Sequence, residues 1–578
     1  MKKVFLGFLL GLAATTAMAV PAKPGLWKTL KLNDGTEVRA QLRGDEHVHF
    51  WMTEDGRRLM KLDGVFTEVD ETQIASRMVK RKAQNMSGVR RAPRKVIPGQ
   101  RTHYVGKKKG LVILAQYQDV KFKSANNLAK YKLIMNEEGY KVGSFKGSVC
   151  DYFKAQSRGV FELDFDVVGP YTMANKRAYY GENDSQGNDK NAEAMIVEAC
   201  KAANAEVDFK DYDWDDDGEV DQVFVLYAGT GEADSYDEES VWPHMYCLSY
   251  TNNALRLDGV KIDTYACSNE VDDRGSIEGI GCFCHEFSHC LGFPDFYDVS
   301  YSGYFGMSDF DLMDGGVYNG DGFVPAGYTA HELMMCGWLD PIELSDEDVS
   351  VENLKALSDG GDSYIIYNKA HPDEYYMLEN RQKTGWDAQL PARGLMITHV
   401  DFDKDIWNDN TPNTKVTLSD MRRYGYTKTN DHQRCTIFHA DNEDDSKYWK
   451  YVEDYGQYYY TKKTLTGDLY PYLSNNSLTN TSVPAATLYN KNTDDTKLMN
   501  RRVLEITQKS DKTISFLYKA TASDEEDGIG EISNVKCQMS GGTGTIYDLS
   551  GRNVSVSSAS SVLPKGVYII NGKKRVVR

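Results

Sequence analysis

Past its first twelve residues the 578-residue sequence has no apolar run of about 18 residues, so no later segment reads as a membrane-spanning helix. It has no surplus of basic charge. Sixty-seven Lys and Arg against 85 Asp and Glu give 67 − 85 = −18. An acidic chain is a poor partner for nucleic acid or an anionic membrane surface, but it suits solubility and bound calcium. No internal repeat is visible. The residue directly after Ala19 is Val20 and not a cysteine, which argues against a lipoprotein anchor. Between Glu71 and Asp119 there is no carboxylate at all, while Arg77–Lys109 carries twelve Lys and Arg, broken by Pro93, Pro98 and Gly99. That composition marks an exposed linker and a natural site for proteolytic activation.

What is present points to an exported, folded, multidomain chain. Its length exceeds a single core, so two to four domains are expected, and 41% hydrophobic residues with 37 Tyr suit globular domains. Lys2 and Lys3, the apolar stretch from Val4 to Leu12 and the small-residue site Ala17-Met18-Ala19 read as a secretory signal over residues 1–19. All ten Cys lie beyond it, an even number compatible with disulfides in an exported protein. Residues 20–100 read as a small β-rich pro-domain followed by the basic activation linker. Turn signals at Asn33-Asp34-Gly35 and Glu54-Asp55-Gly56 separate its short alternating segments. Such a segment would keep an enzyme latent, with Asp45, His47 or a free amino terminus as the group that caps a metal.

The chemistry concentrates in HEFSHCLGFPDFYD, residues 285–298. His285 and His289 are four apart, so a helix projects both from one face towards one metal ion. Glu286 stands where the general base for a metal-activated water belongs. Gly292 can take the left-handed conformation that ends a helix, and Pro294 cannot continue one. The resulting turn brings Asp295 to the same metal as third ligand, with Glu332 as the fallback. Cys282, Cys284 and Cys290 read as small buried residues beside the helix rather than further ligands.

These residues resemble the zinc motif of the immune-inhibitor-A family of secreted bacterial metallopeptidases, within the metzincin-like group. Most metzincins have a histidine where this chain has Asp295, and the aspartate is the variant this family shows. Further segments resemble the family in order: DYFKAQSRGVFELDFDVVGPY (151–171), DYDWDDDGEVDQVFVLYAG (211–229), FDLMDGGVYNG (310–320), YYMLENRQ and GLMITHVD (375–401). The resemblance spans roughly Gly110 to Tyr518. It implies an α+β fold, with a metzincin-like zinc protease domain at 101–340 and a C-terminal β-sandwich at 341–520. It also implies catalytic Zn2+ and protein or peptide substrates. Met313 would lie in the methionine turn beneath the zinc, and Tyr318 would hydrogen-bond the oxyanion. The expected product is a secreted or surface-attached zinc endopeptidase, monomeric and made as a latent pre-pro-enzyme. The alternative is a calcium-stabilised surface binding protein with a vestigial zinc site.

Other stretches carry secondary signals. Asp213, Asp215, Asp217, Glu219 and Asp221 alternate around Gly218, as in a shortened loop that cages Ca2+ with oxygen atoms. Leu111–Tyr117 and Val223–Tyr227 read as buried strands, and Val149–Ala155 and Asn191–Ala203 as helices. A metal helix capped at Ser276 and a further helix over 325–338 are expected. His244, the pair His399 and Asp401 and the pair His439 and Asp441 read as structural hydrogen bonders. Residues 521–578 form an acidic linker and a short segment that resembles the end of a type IX secretion sorting domain, with its machinery as a partner.

Overall fold

The protein is described by a computed structural model over residues 18–74 and 104–522, apart from short breaks at 47, 63, 71–72, 185–186, 252, 302, 445–448, 453–456 and 461–463, and by four short strands beyond residue 529. Most of the signal segment, residues 75–103 and His47 lie outside the described residues, whereas Lys107, Lys108 and Lys109, expected in the basic linker, belong to the strand Gly106–Gln116. The chain is mixed α and β, with several sheets and few helices.

Strands β1 (Lys28–Lys31), β2 (Glu37–Gly44), β3 (His49–Thr53), β4 (Arg58–Leu62) and β5 (Val65–Glu68) form an antiparallel meander in sequential order. One face carries Leu30, Ala40, Leu42, Trp51 and Leu59 into the main core of the molecule. Trp51 meets Tyr236 edge-on, with ring centroids 5.3 Å apart.

Strands β6 (Gly106–Gln116), β7 (Phe161–Thr172), β8 (Val223–Thr230), β9 (His244–Cys247) and β12 (Thr264–Val271) build the central sheet, in the order β7-β6-β8-β12-β9. A hairpin of β10 (Leu255–Leu257) and β11 (Val260–Ile262) lies between β9 and β12 in sequence. The first four strands of the central sheet pair in parallel and β9 joins its edge antiparallel. The sequence Leu111-Val-Ile-Leu-Ala115 is apolar without a break because both faces are covered. Leu111, Ile113 and Ala115 enter one core, while Val112 and Leu114 enter the other. The helix Ala192–Ala203 covers the first face with Met195, Ile196 and Ala199, as its spacing predicts. The helices Val149–Gln156 and Gly281–Cys290 cover the second, with Phe153, Phe283 and Phe287. Phe224 of β8 stacks on Phe283 at 3.8 Å between centroids.

The metal helix starts at Gly281, not after Ser276. Residues 271–277 fold back on themselves, and Ser276 N–H donates to Asp272. The expected helix over 325–338 shrinks to Ala330–Met335, because the N–H groups of Gly327 and Tyr328 are taken by the side chains of Asp387 and Gln156.

The C-terminal half brings a five-stranded sheet of β13 (Ile342–Glu343), β15 (Ser363–Tyr367), β16 (Glu374–Arg381), β17 (Gly394–Asp401) and β18 (Cys435–Ile437). A three-stranded sheet joins β14 (Val349–Leu354), β21 (Arg502–Gln508) and β22 (Ile514–Lys519). Every residue of β16 and β17 is buried. Tyr375, Met377 and Met396 face the main core, and Tyr376, Leu378 and Ile397 share a second core with the smaller sheet. The nine cysteines among the described residues form no disulfide and most are buried, so the even count does not translate into disulfides there. Among the described residues no helix is long and apolar enough to cross a membrane.

Candidate metal centre

The metal helix is buried along almost its whole length, and Gly292, at φ 101°, ends it. His285 Nε2 and His289 Nε2 lie 3.0 Å apart. Asp295 Oδ1 lies 3.2 Å from the first and 3.3 Å from the second. A tetrahedral zinc with bonds of about 2.0–2.2 Å sets its ligand atoms about 3.3–3.6 Å apart, so this triangle is close to the size required. Each imidazole directs Nδ1 at a main-chain oxygen, His285 at Leu312 (2.8 Å) and His289 at Phe293 (2.7 Å). That leaves Nε2 as the bare lone pair on both rings. Asp295 Oδ1 is buried without a hydrogen-bond donor. Burial pushes the His285 pKa down. Burial alone would raise the Asp295 carboxyl, but the two imidazoles outweigh it and hold the pKa well below the carboxylate range. Bare imidazoles and a carboxylate whose Oδ1 has no donor are the states in which these groups bind a metal, and the residues fit zinc.

Asp295 is clamped from the C-terminal half. Asn410 Nδ2 donates to Asp295 Oδ2 and Asn410 Oδ1 accepts from Asp295 N–H, both at 2.7 Å. Nearby, Asn413 donates to the Phe296 carbonyl (2.8 Å) and Thr414 accepts from Val299 N–H (2.9 Å). Sequence reasoning missed Asn410, 115 positions from its partner, and no local signal marks it.

Glu286 is fully buried, and burial raises its pKa well above the ordinary carboxyl value. Its Oε1 accepts from Val20 N–H at 2.8 Å, a contact 266 positions long, while Oε2 has no partner. Val20 belongs to a buried run of chain, residues 18–23, that crosses the site. Met18 pairs antiparallel with Met245 on β9. The Ala19 carbonyl accepts from Tyr297 Oη (2.8 Å), the Val20 carbonyl from Trp242 Nε1 (3.0 Å) and the Pro21 carbonyl from Tyr318 Oη (2.6 Å).

Residues 114–333 match the profile of the immune inhibitor A peptidase M6 catalytic domain. Through this segment the chain is similar to the immune inhibitor A peptidase family. It is 25% identical over 274 residues to Immune inhibitor A of Bacillus thuringiensis subsp. alesti, covering 39% of each chain. It is 25% identical over 198 residues to the pre-pro-metalloprotease PrtV of Vibrio cholerae serotype O1, covering 30% of this chain and 21% of that one. The chain thus spans about two fifths or less of these relatives' lengths.

The other expected residues fall as follows. Met313 is fully buried, and its carbonyl accepts from Phe296 N–H (2.8 Å) next to Asp295. Tyr318 faces the segment in the cleft. Glu332 stays away from the metal ligands. It closes a capping box with Thr329, which rules out the fallback role. Asp213, Asp215 and Asp217 converge as a potential cation group. Glu219 and Asp221 do not join it. Glu219 faces Lys261 at 3.6 Å, and Asp221 Oδ2 accepts from Trp214 N–H. Asp45 is buried, and its Oδ2 accepts from Tyr297 Oη (3.2 Å). His244 is bound to the Trp242 carbonyl and Tyr265, His399 to Glu374 and His439 to Asp468, so all three are structural.

Proposed function

We propose that this protein is a secreted zinc endopeptidase, made as a latent pre-pro-enzyme, in which His285, His289 and Asp295 hold the zinc and Glu286 is the general base. The observation that carries the reading is the near-tetrahedral triangle of ligand atoms with Glu286 hydrogen-bonded to a peptide nitrogen beside it. Zinc in such a site polarises a carbonyl and lowers the pKa of a bound water towards ~7.

The protein's own groups supply the rest. Met18 adds to the edge strand β9, and Tyr318 and Trp242 bind the next carbonyls, so residues 18–23 follow the path of a substrate strand. Val20 N then occupies the place of the amine released when a peptide bond is cut. Glu286 reaches it at 2.8 Å, the distance at which a carboxyl hands on a proton. Its raised pKa suits a group that accepts a proton from water and keeps it until the amine departs. In this register the carbonyl under attack is that of Ala19, which Tyr297 Oη reaches at 2.8 Å, whereas Tyr318 binds the Pro21 carbonyl two residues on and does not stand at the expected oxyanion.

The same segment supports latency, since no substrate enters while it lies there. Of the three capping groups expected from sequence, the main-chain nitrogen of Val20 has the most direct support, and it becomes a free amine if the signal is cut after Ala19. The domain limits 1–19, 20–100, 101–340, 341–520 and 521–578, with a C-terminal β-sandwich and a sorting-like tail, remain part of this reading. The three converging aspartates support a structural calcium. Added Ca2+ should raise the melting temperature of the wild type and not that of Asp213→Asn. The retained Glu286 weighs against a vestigial zinc site in a binding protein.

The test is digestion of unfolded casein by the full chain after brief trypsin treatment, beside Glu286→Ala, with chelator and with zinc restored. Cleavage by the wild type alone, lost to chelator and regained with zinc, supports the reading. Undiminished cleavage by Glu286→Ala removes the base, and no cleavage by either protein removes the peptidase.

A further inference from the structure

The segment in the cleft buries a charge. The Lys23 side chain is only 9% exposed, and its ammonium lies 4.0 Å from Glu278 Oε1 and 3.9 Å from Asp321 Oδ1. It also stands over the Tyr318 ring, 5.8 Å from the centroid. The main chain at this point is held from both sides. Lys23 N–H donates to the Ala233 carbonyl (2.8 Å), and Tyr236 Oη donates to the Lys23 carbonyl (2.7 Å). Asp234 completes the recess. It is 4% exposed, and its Oδ2 accepts from Asn269 Nδ2 at 2.9 Å.

Two oxygens in this recess, Asp234 Oδ1 and Glu278 Oε2, are buried without a hydrogen-bond partner. Burial raises the pKa of both carboxyls, Asp234 the more. The Lys23 ammonium opposes that rise in both. The neighbouring Asp272 is already neutralised by Arg274 at 2.7 Å.

Every wall of the recess belongs to the peptidase domain, whereas Lys23 belongs to the segment that leaves on activation. Its departure leaves these buried carboxyls without the cation that faces them, which is costly unless another cation replaces it. Lys23 lies three residues beyond Val20, whose nitrogen faces Glu286. We propose that the recess of Asp234, Glu278, Asp321 and the Tyr318 ring is a substrate subsite for a lysine or arginine side chain at the fourth position beyond the bond cleaved, and that Lys23 is its internal occupant in the latent chain. The numbering of the position rests on the peptidase reading above. The recognition of a basic side chain rests on the recess itself.

Two measurements on the trypsin-activated full chain separate the two claims. In the first, a proteome-derived peptide mixture is digested and the cut sites are read by mass spectrometry. Lys and Arg are expected to be enriched at the fourth position after the cut, with the enrichment abolished in Glu278→Gln and reduced in Asp321→Asn at the exposed rim. In the second, fluorescence anisotropy follows a labelled peptide with the sequence of residues 20–25 on activated Glu286→Ala, beside the same peptide with norleucine for its lysine. The lysine peptide is expected to bind at least about tenfold more tightly. Equal binding of the two peptides, or cut sites with no basic preference, overturns the subsite. A digest with no cuts but a retained lysine preference in binding overturns the peptidase reading and leaves the recess as a site for a cationic side chain.

Discussion

Replacing Asn410 by alanine removes both hydrogen bonds that fix Asp295, each 2.7 Å long. One is a charge-assisted donor to the carboxylate oxygen that does not face the metal. The other satisfies the buried Asp295 N–H. A hydrogen bond to a charged group contributes about 1.5–3 kcal/mol, and an abandoned buried N–H costs about 1–3 kcal/mol, so the apo protein should lose roughly 2.5–6 kcal/mol. Part of that loss reaches the metal directly, because outer partners of this kind alter affinity by about 10–100-fold, equivalent to about 1.4–2.7 kcal/mol. Asn410→Asp provides the contrast. It keeps an acceptor for Asp295 N–H but sets a second carboxylate against Asp295 Oδ2. Zinc affinity should therefore drop at least as far as in Asn410→Ala, while the main-chain contact survives. Titration of zinc-loaded protein with a chromogenic chelator at neutral pH gives the affinities, and thermal melts of zinc-free protein give the stability loss separately. Wild-type chelator curves in both variants would refute the claim that the C-terminal half supports the metal centre.

Arg381 lies wholly inside the protein, bound to Glu379 (3.0 Å), Asp387 (2.7 Å) and the carbonyls of Gly327 and Phe310. Arg381→Ala leaves buried carboxylates without a counter-charge and should cost about 3–5 kcal/mol in urea unfolding, with little rescue by lysine, which cannot bridge all four partners. Gly281→Ala places a methyl 2.1 Å from the Val317 carbonyl at the start of the metal helix. The helix must shift, so lower metal retention on gel filtration and a lower melting temperature are expected. His331 is held neutral by burial, its pKa pushed down to about 3 from 6.5. The unfolded chain takes up the proton first as the pH falls. His331 therefore stabilises the fold fully above pH 6.5, and that contribution drains away towards pH 3 by up to about 1.4 kcal/mol per unit. His331→Gln should flatten the stability profile between pH 6.5 and 5, and an unchanged slope would remove His331 from the account.

The metal motif was legible because its geometry is local. Two histidines at helical spacing, a glycine that ends the helix at φ 101° and an aspartate six residues on form one continuous turn of chain. The buried strand Leu111–Ala115 and the helix Ala192–Ala203 were legible for the same reason, since periodicity reports which faces are covered. The start of the metal helix was not, because Gly281 is fixed by its approach to the backbone at 317 and 322 and not by a cap at Ser276. Glu219 and Asp221 continue the alternation of the acidic loop, yet Lys261 from outside the loop engages the first and the Trp214 N–H within it the second.

By itself, then, the sequence determined which residues could hold a metal, which could serve as its base and which stretches are buried. Only the tertiary structure decided that Asn410 clamps Asp295, that residues 18–23 occupy the cleft against Glu286, and that the cysteines described lie apart as thiols. Those contacts join residues one to nearly three hundred positions apart in the chain. They follow from how whole sheets and helices pack, and composition and spacing carry no record of that packing.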